Sequence, residues 1–202
     1  MAVTKATYSM INGACINILD YGCVGDDSTD NLAAFQAAIN AAGDLGIKRV
    51  YVPAGTYLLQ LTAGIGVQTT AGTAINGFEI FGEGDGSVLK VGLNSGVDFQ
   101  AILGFGVNTT GVTIRDLAFD FNVARAATRP SPSARFHNPA IMMHKGARNV
   151  RIINCSFLNA SVDQPIRLAS FTTAPPDSEK INDVLIDGVR FYKFGDGVTG
   201  NN

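Results

Sequence analysis

Three stretches of this chain superimpose, and their spacing restricts what it can fold into. They are Val112-Thr-Ile-Arg-Asp-Leu-Ala-Phe119, Val150-Arg-Ile-Ile-Asn-Cys-Ser-Phe157 and Val184-Leu-Ile-Asp-Gly-Val-Arg-Phe191, each with apolar residues at offsets 0, 2, 5 and 7. A step of two keeps side chains on one face of a strand. The single step of three shifts the phase once, as a bend between two strands does. Each stretch therefore reads as a short strand, a corner and a second short strand with one common inside. Asp116 falls at the corner, and Asn154 is its counterpart one repeat later. Corner Asp and Asn residues can hydrogen-bond the turn and stack on their equivalents in adjacent coils.

A further apolar run precedes each unit: Ala101–Phe105, Ala140–His144 and Ile166–Ser170. Three short strands per repeat with one inward face describe an all-β solenoid of parallel coils. Aligning these runs from their first residues puts His144 on the inward face with Phe105 and Ser170. It puts Ile102, Ile141 and Met143 outward, as a row of exposed apolar side chains that would need cover from another chain, the lead-in or a helix. The coils are unequal. The excess lies at 122–139 and 171–180, and both segments read as loops leaving the wall.

The spacing of Leu32, Phe35, Ile39 and Ala42 gives a short amphipathic helix, with Asp30 or Ser28 as its cap and Gly43 and Gly46 as its stop. Such a helix is placed to cover the open end of the first coil. The chain then divides into a lead-in over 1–19, a loop and capping helix over 20–48, and coils over 49–202. The run Gly195 to Asn202 carries no cap signal, so the chain reads as truncated at its C-terminus.

Composition narrows the function. Fifteen Lys and Arg against 17 Asp and Glu give a net charge of -2, which argues for neither nucleic-acid nor membrane-surface binding. No stretch is apolar enough to cross a bilayer, and MAVTKATYSM has no apolar core of a secretory signal. Cys15, Cys23 and Cys155 form no C-x-x-C pair, and with only His137 and His144 beside them they make no metal site. Gly82-Glu-Gly-Asp-Gly86 lacks the third glycine and the lysine of phosphate-binding loops, so no cofactor is implied. Asp26, Asp27 and Asp30 do not follow the spacing of a calcium loop and suit Asx-turns and a helix cap.

At this point the residues resemble a known family. Asp20-Tyr-Gly-Cys-Val-Gly-Asp-Asp-Ser-Thr-Asp-Asn-Leu-Ala-Ala-Phe-Gln-Ala-Ala-Ile39, Arg49-Val-Tyr-Val-Pro-Ala-Gly-Thr-Tyr57 and Phe78-Glu-Ile-Phe-Gly-Glu-Gly-Asp-Gly-Ser-Val-Leu89 resemble the opening of the pectate-lyase-like right-handed parallel β-helix superfamily. The lead-in around Ala6–Ala14 looks like the segment joining bacteriophage tailspikes to their β-helix. The resemblance implies a right-handed parallel β-helix with an N-terminal capping α-helix. It implies a homotrimeric tailspike or fibre on a virion tail, beside other phage tail proteins. Such a protein binds, and often depolymerises, a bacterial surface polysaccharide.

Chemistry is less legible. A glycosidase needs two carboxyl groups flanking a sugar, and Asp116 with Asp120 is a candidate pair. A lyase needs a base beside a uronate, for which Arg167 near Asp163 is a candidate. Arg125, Arg129, Arg135 and His137 occupy a loop without acidic residues and are candidates for binding an anionic glycan. The alternatives are turn-bonding carboxylates, a surface ion pair and a solvated or intersubunit loop. The sequence pattern of polygalacturonases is missing, so catalysis by glycoside hydrolase or polysaccharide lyase chemistry stays open, as does a non-catalytic receptor-binding or structural role.

Overall fold

The computed structural model describes residues 13–92, 101–122, 139–159, 165–168 and 180–192. The first coil holds β1 (Ile16–Asn17), β2 (Asp26–Asp30) and α1 (Leu32–Asp44). The second holds β3 (Arg49–Tyr51) and β4 (Gly55–Leu59), and the third β5 (Glu79–Phe81) and β6 (Ser87–Val91). Three-strand groups follow: β7 (Leu103–Phe105), β8 (Thr110–Arg115) and β9 (Ala118–Asp120); β10 (Ile141–Met143), β11 (Arg148–Ile153) and β12 (Ser156–Leu158); β13 (Ile166–Leu168), β14 (Asn182–Asp187) and β15 (Arg190–Tyr192).

These strands stack into three parallel sheets. The first runs β1-β3-β5-β8-β11-β14, the second β2-β4-β6-β9-β12-β15 and the third β7-β10-β13. Parallel strands joined by crossovers in one direction wind right-handed, and the result is the right-handed parallel β-helix expected above. Ile16–Asn17 of the expected lead-in already pairs with β3.

The 2-3-2 spacing acts as the physics requires. Val112, Ile114, Leu117 and Phe119 are fully buried, as are Val150, Ile152, Cys155 and Phe157. The phase shift is made by one left-handed residue per coil, Asp116 at φ 55°, Asn154 at φ 50° and Gly188 at φ 61°. Asn and Asp tolerate this region better than other side chains. The Asn154 amide donates to the Asp116 carboxylate at 3.4 Å, so neighbouring corners are tied. Inside, Phe119, Phe157 and Phe191 stack at 5.2 and 5.4 Å between centroids.

Helix α1 closes the start of the stack. Phe35, Ala38, Ile39 and Ala42 are fully buried on its inner face. Asp30 accepts the Leu32 N–H at 3.0 Å, as the capping expectation required. Asn31 at the cap position itself turns inward, accepting the Val24 N–H and donating to the carbonyls of Val24, Thr29 and Leu58. Gly46, at φ 69°, ends the helix in the left-handed region. Gly43 instead stays inside it, where a Cβ would lie 2.7 Å from Ile75.

Two expectations are overturned. Ile102, Ile141 and Met143 are fully buried core residues, not an exposed row. His144 is half-buried and lines a surface groove; it is not a core histidine. For Ile141, Met143 and His144 the error comes from register; Ile102 is buried beside Leu103 where the chain enters β7. Ile141 pairs with Leu103 and Ile166, and Met143 with Phe105 and Leu168. The outward row of the third sheet is therefore Gly104, Met142 and Arg167.

Candidate functional site

The described residues carry a shallow groove of ≈ 260 Å³ on the outer face of the third sheet. Its lining includes Gly66, Gln68, Gly104, Gly106, Met142 and His144. Residues 65–67 extend this sheet by one rung, because Gly66 bridges Gly104 in parallel and Ile65 and Val67 exchange backbone hydrogen bonds with Ala101 and Gly104. Ile65 and Val67 point into the core, and Gly66 and Gln68 face out. The outward rung is thus Gly66, Gly104, Met142 and Arg167. Two residues along, Gly106 and His144 follow on the same face, while Gln68 turns off to bridge Ala74 in antiparallel, which sets Ala74 beside Gly106. Where glycine replaces a side chain the wall is hollow.

The capping helix fixes the groove's near wall. The Gln36 amide accepts the Gly66 N–H at 2.9 Å and donates to the Gly66 carbonyl at 2.8 Å. A strand edge exposes one such donor and acceptor, so the side chain stands in for the missing next strand. Beyond Gly66, the Gln68 side chain folds back so closely that a Cβ on Gly66 would lie 3.0 Å from it.

A second cluster covers the outer face of the first sheet. Glu79 bridges the Nε atoms of Arg49 at 2.6 Å and Arg115 at 2.9 Å. Arg115 also reaches Asp116 at 2.7 Å. Tyr51, Phe81 and the Arg115 guanidinium stack along the solenoid axis at 5.4 and 4.6 Å. Burial alone would raise the Glu79 carboxyl, but the two arginines outweigh it and hold it below the usual carboxylate range. The Tyr51 hydroxyl donates to Glu83, and that bond pushes the phenol up. Apart from the Arg115–Asp116 pair, these contacts join residues on adjacent coils.

The sequence candidates fall in different places. Asp116 lies at the corner, engaged with Arg115 and Asn154. Asp120 ends β9 and accepts the Asn122 N–H and the Asn159 amide. The two carboxylates share no partner and serve different turns. Arg167 lies on the same outward rung as Met142, beside the groove, and is half-buried. Asp163, Arg125, Arg129, Arg135 and His137 lie outside the described residues. Sequence reasoning did not single out Gly104, Gly106, Gln68 or Gln36. The available signal was glycine at alternate positions of a strand, where a turn does not require it.

Asp26 accepts the N–H groups of Ser28 and Thr29, which draw its carboxyl well below the usual range. Asp27 pairs with Lys90 at 2.8 Å. The acidic segment thus serves local turns and an ion pair. Among the described residues no three His, Cys, Asp or Glu side chains gather to hold a metal. No helix among them is long and apolar enough to cross a membrane.

A family model described as rhamnogalacturonase A/epimerase, pectate lyase-like, matches residues 15–196. The chain belongs to this pectate-lyase-like family. It is 30% identical over 184 residues to mannuronan C5-epimerase AlgE6 of Azotobacter vinelandii, covering 90% of this chain and 20% of that protein. The solved A-module of AlgE6 superimposes with a TM-score of 0.52 at 27% identity, over 70% of this chain and 37% of the module. Gene product 12 of bacteriophage phi29 shares the fold, with a TM-score of 0.59 at 19% identity over 83% of this chain and 21% of its own. Another structural neighbour, from Geobacillus virus E2, gives 0.50 at 18% identity over 73% and 26%. The chain therefore spans about a fifth of the AlgE6 protein.

Proposed function

We propose that this pectate-lyase-like β-helix protein is part of a phage tailspike or tail fibre that binds a bacterial surface polysaccharide, capsule or O-antigen. We place the binding in the groove over Gly104 and Gly106. The groove carries the reading: it is an open trough with an amide, an imidazole and a thioether arranged over bare backbone. Sugars present hydroxyls for the first two and C–H faces for the third. Proteins of bacteriophage phi29 and Geobacillus virus E2 share its fold, which supports the reading as a virion component. A homotrimer, contacts with other tail proteins and depolymerisation by the whole protein belong to the same reading.

For catalysis we retain Asp116, Asp120, Asp163 and Arg167, and for glycan binding Arg125, Arg129, Arg135 and His137. Arg167 is favoured among them because its rung adjoins the groove. A second reading is uronate chemistry, lyase or epimerase, supported by the similarity to a mannuronan C5-epimerase over 90% of this chain.

Incubating the whole protein with purified capsules and O-antigens separates these readings. New reducing ends without ultraviolet absorbance indicate a hydrolase, and unsaturated products absorbing in the ultraviolet indicate a lyase. Altered uronate signals without chain shortening indicate an epimerase. Binding without any of these indicates a receptor-binding role. A protein that retains no polysaccharide from the panel contradicts the proposal. Light scattering on the same sample tests the trimer.

A further inference from the structure

The corner between the first and second sheets is tight in the three-strand groups, the fourth, fifth and sixth coils, and long in the third coil. Phe81 is in register with Arg115, and Val88 with Ala118. Between these points the third coil spends residues 82–87 where the fourth spends 116 and 117. The excess is the glycine-rich run Gly82-Glu-Gly-Asp-Gly86, which lacks the features of a phosphate loop. Its first two glycines are required by the path. A Cβ on Gly82 would lie 2.6 Å from Ser87 and 2.7 Å from Leu117, and Gly84 is left-handed at φ 72°. The Gly84 N–H donates to the Asp116 carbonyl at 2.9 Å, so the loop leans along the axis, away from α1.

Leaning carries Asp85 beyond the adjacent coil. Its carboxylate accepts the Ser156 hydroxyl on the fifth coil, and the Arg190 guanidinium on the sixth at 3.2 Å. Val88, Ala118, Ser156 and Arg190 are in register on successive coils. Asp85 therefore reaches across two and three rungs, roughly 10–14 Å. In the other direction the Tyr51 hydroxyl donates to Glu83, and Ser87 donates to the Val52 carbonyl, both on the second coil.

Solenoid coils ordinarily contact only their nearest neighbours, and the bonds of Asp85 skip one or two of them. Ser156 is 1% exposed, and a charged acceptor gives its buried hydroxyl a strong bond. The Arg190–Asp85 pair is exposed and weaker. The sixth coil also carries Arg167 beside the groove.

We propose that the 82–86 loop is an axial clasp: Asp85 ties the third coil directly to the fifth and sixth, so that these coils resist opening ahead of the rest of the stack.

The test is hydrogen exchange read by NMR on the 202-residue chain. The Asn108 and Phe121 amides join the fourth coil to the fifth, the Asn154 and Asn159 amides join the fifth to the sixth, and the Asn31 amide joins the first to the second. Asp85→Ala is expected to speed exchange at the first four by about tenfold or more, with Asn31 unchanged within twofold. Arg190→Ala is expected to speed only Asn154 and Asn159, by about threefold. Should Asp85→Ala fail to fold, Asp85→Asn, which keeps an acceptor for Ser156 and gives up the charge, is expected to speed the same four amides by about threefold. Exchange at those four amides within twofold of the parent, or equal acceleration at Asn31, overturns the clasp.

Discussion

The two ends of the solenoid bury the same kind of residue to opposite degrees. At the start, Phe35 and Ile39 of α1 lie over the first coil and are fully buried with Ile16 and Ile18. At the far end of the described residues, Ile186 and Phe191 occupy the inward positions that Ile114 and Phe119 fill two coils earlier, yet they are 45% and 54% exposed. Their sequence pattern is the same. What differs is a neighbour on the open side. An inward position in a solenoid is only a promise of burial, redeemed when the next layer is present, so stability follows nearest-neighbour contacts rather than pattern alone.

The sharpest way to break this contrast is to truncate the same residue at both ends. Phe35→Ala should destabilise by about 3–5 kcal/mol, because it leaves a cavity under the cap. Phe191→Ala should cost less than about 1 kcal/mol, since much of that ring is already in water. Urea unfolding of the two variants measures both, and equal losses would remove the distinction.

Asn31 tests whether the capped end depends on polar closure as well as apolar cover. Its side chain satisfies one N–H and three carbonyls and is fully buried. Asn31→Ala should cost about 2–3 kcal/mol by leaving buried backbone groups unmet. A loss below about 0.5 kcal/mol in the same unfolding assay would show that water replaces those bonds.

Gln36 sharpens the comparison at a single strand edge. Gln36→Leu should destabilise by about 1 kcal/mol and speed hydrogen exchange at the Gly66 amide. Gln36→Glu keeps an acceptor for that N–H but loses the donor to the carbonyl, so Gly66 should stay protected. Unchanged Gly66 exchange in the leucine variant would mean that Gln36 does not hold the edge.

The smallest effect is expected from the buried thiols. Burial pushes Cys23 near the capped end and Cys155 in the middle of the stack each up to about 12. An unfolded thiol ionises near pH 8.5. The stability these neutral thiols contribute is therefore intact below about pH 8.5 and is lost progressively as pH rises toward 12. Native alkylation at pH 8 should modify Cys15 and spare the other two, read by mass spectrometry.

The corner spacing made the first and second sheets legible in the sequence, because each coil repeats two inward residues, one left-handed residue and two more. The third sheet was misread for a physical reason. Its strands are three residues long, and the residues leading into them are buried as well, so Ile102 and Leu103 are adjacent and both inside. Alternation fails where a chain enters a strand through the core. Strand β2 escaped notice for the opposite reason. Asp26 to Asp30 are all exposed, and pairing with β4 rather than burial makes them a strand. The groove was illegible because its defining feature is missing side chains, and a glycine in a Gly-rich chain does not announce whether a turn or a ligand asked for it.

The Gln36–Gly66 pair gives the molecule a direction. A row of unpaired backbone groups is a template for further strands. At the start of the third sheet that template is occupied by a side-chain amide. At the start of the second it is guarded by three aspartates on β2, and at the start of the first it is only two residues long and lies against α1. Three edges are stopped by three devices, all on one side. The outer edges of β13, β14 and β15 carry none of them among the described residues. The devices that refuse further backbone pairing are therefore gathered, among the described residues, at one end of the stack.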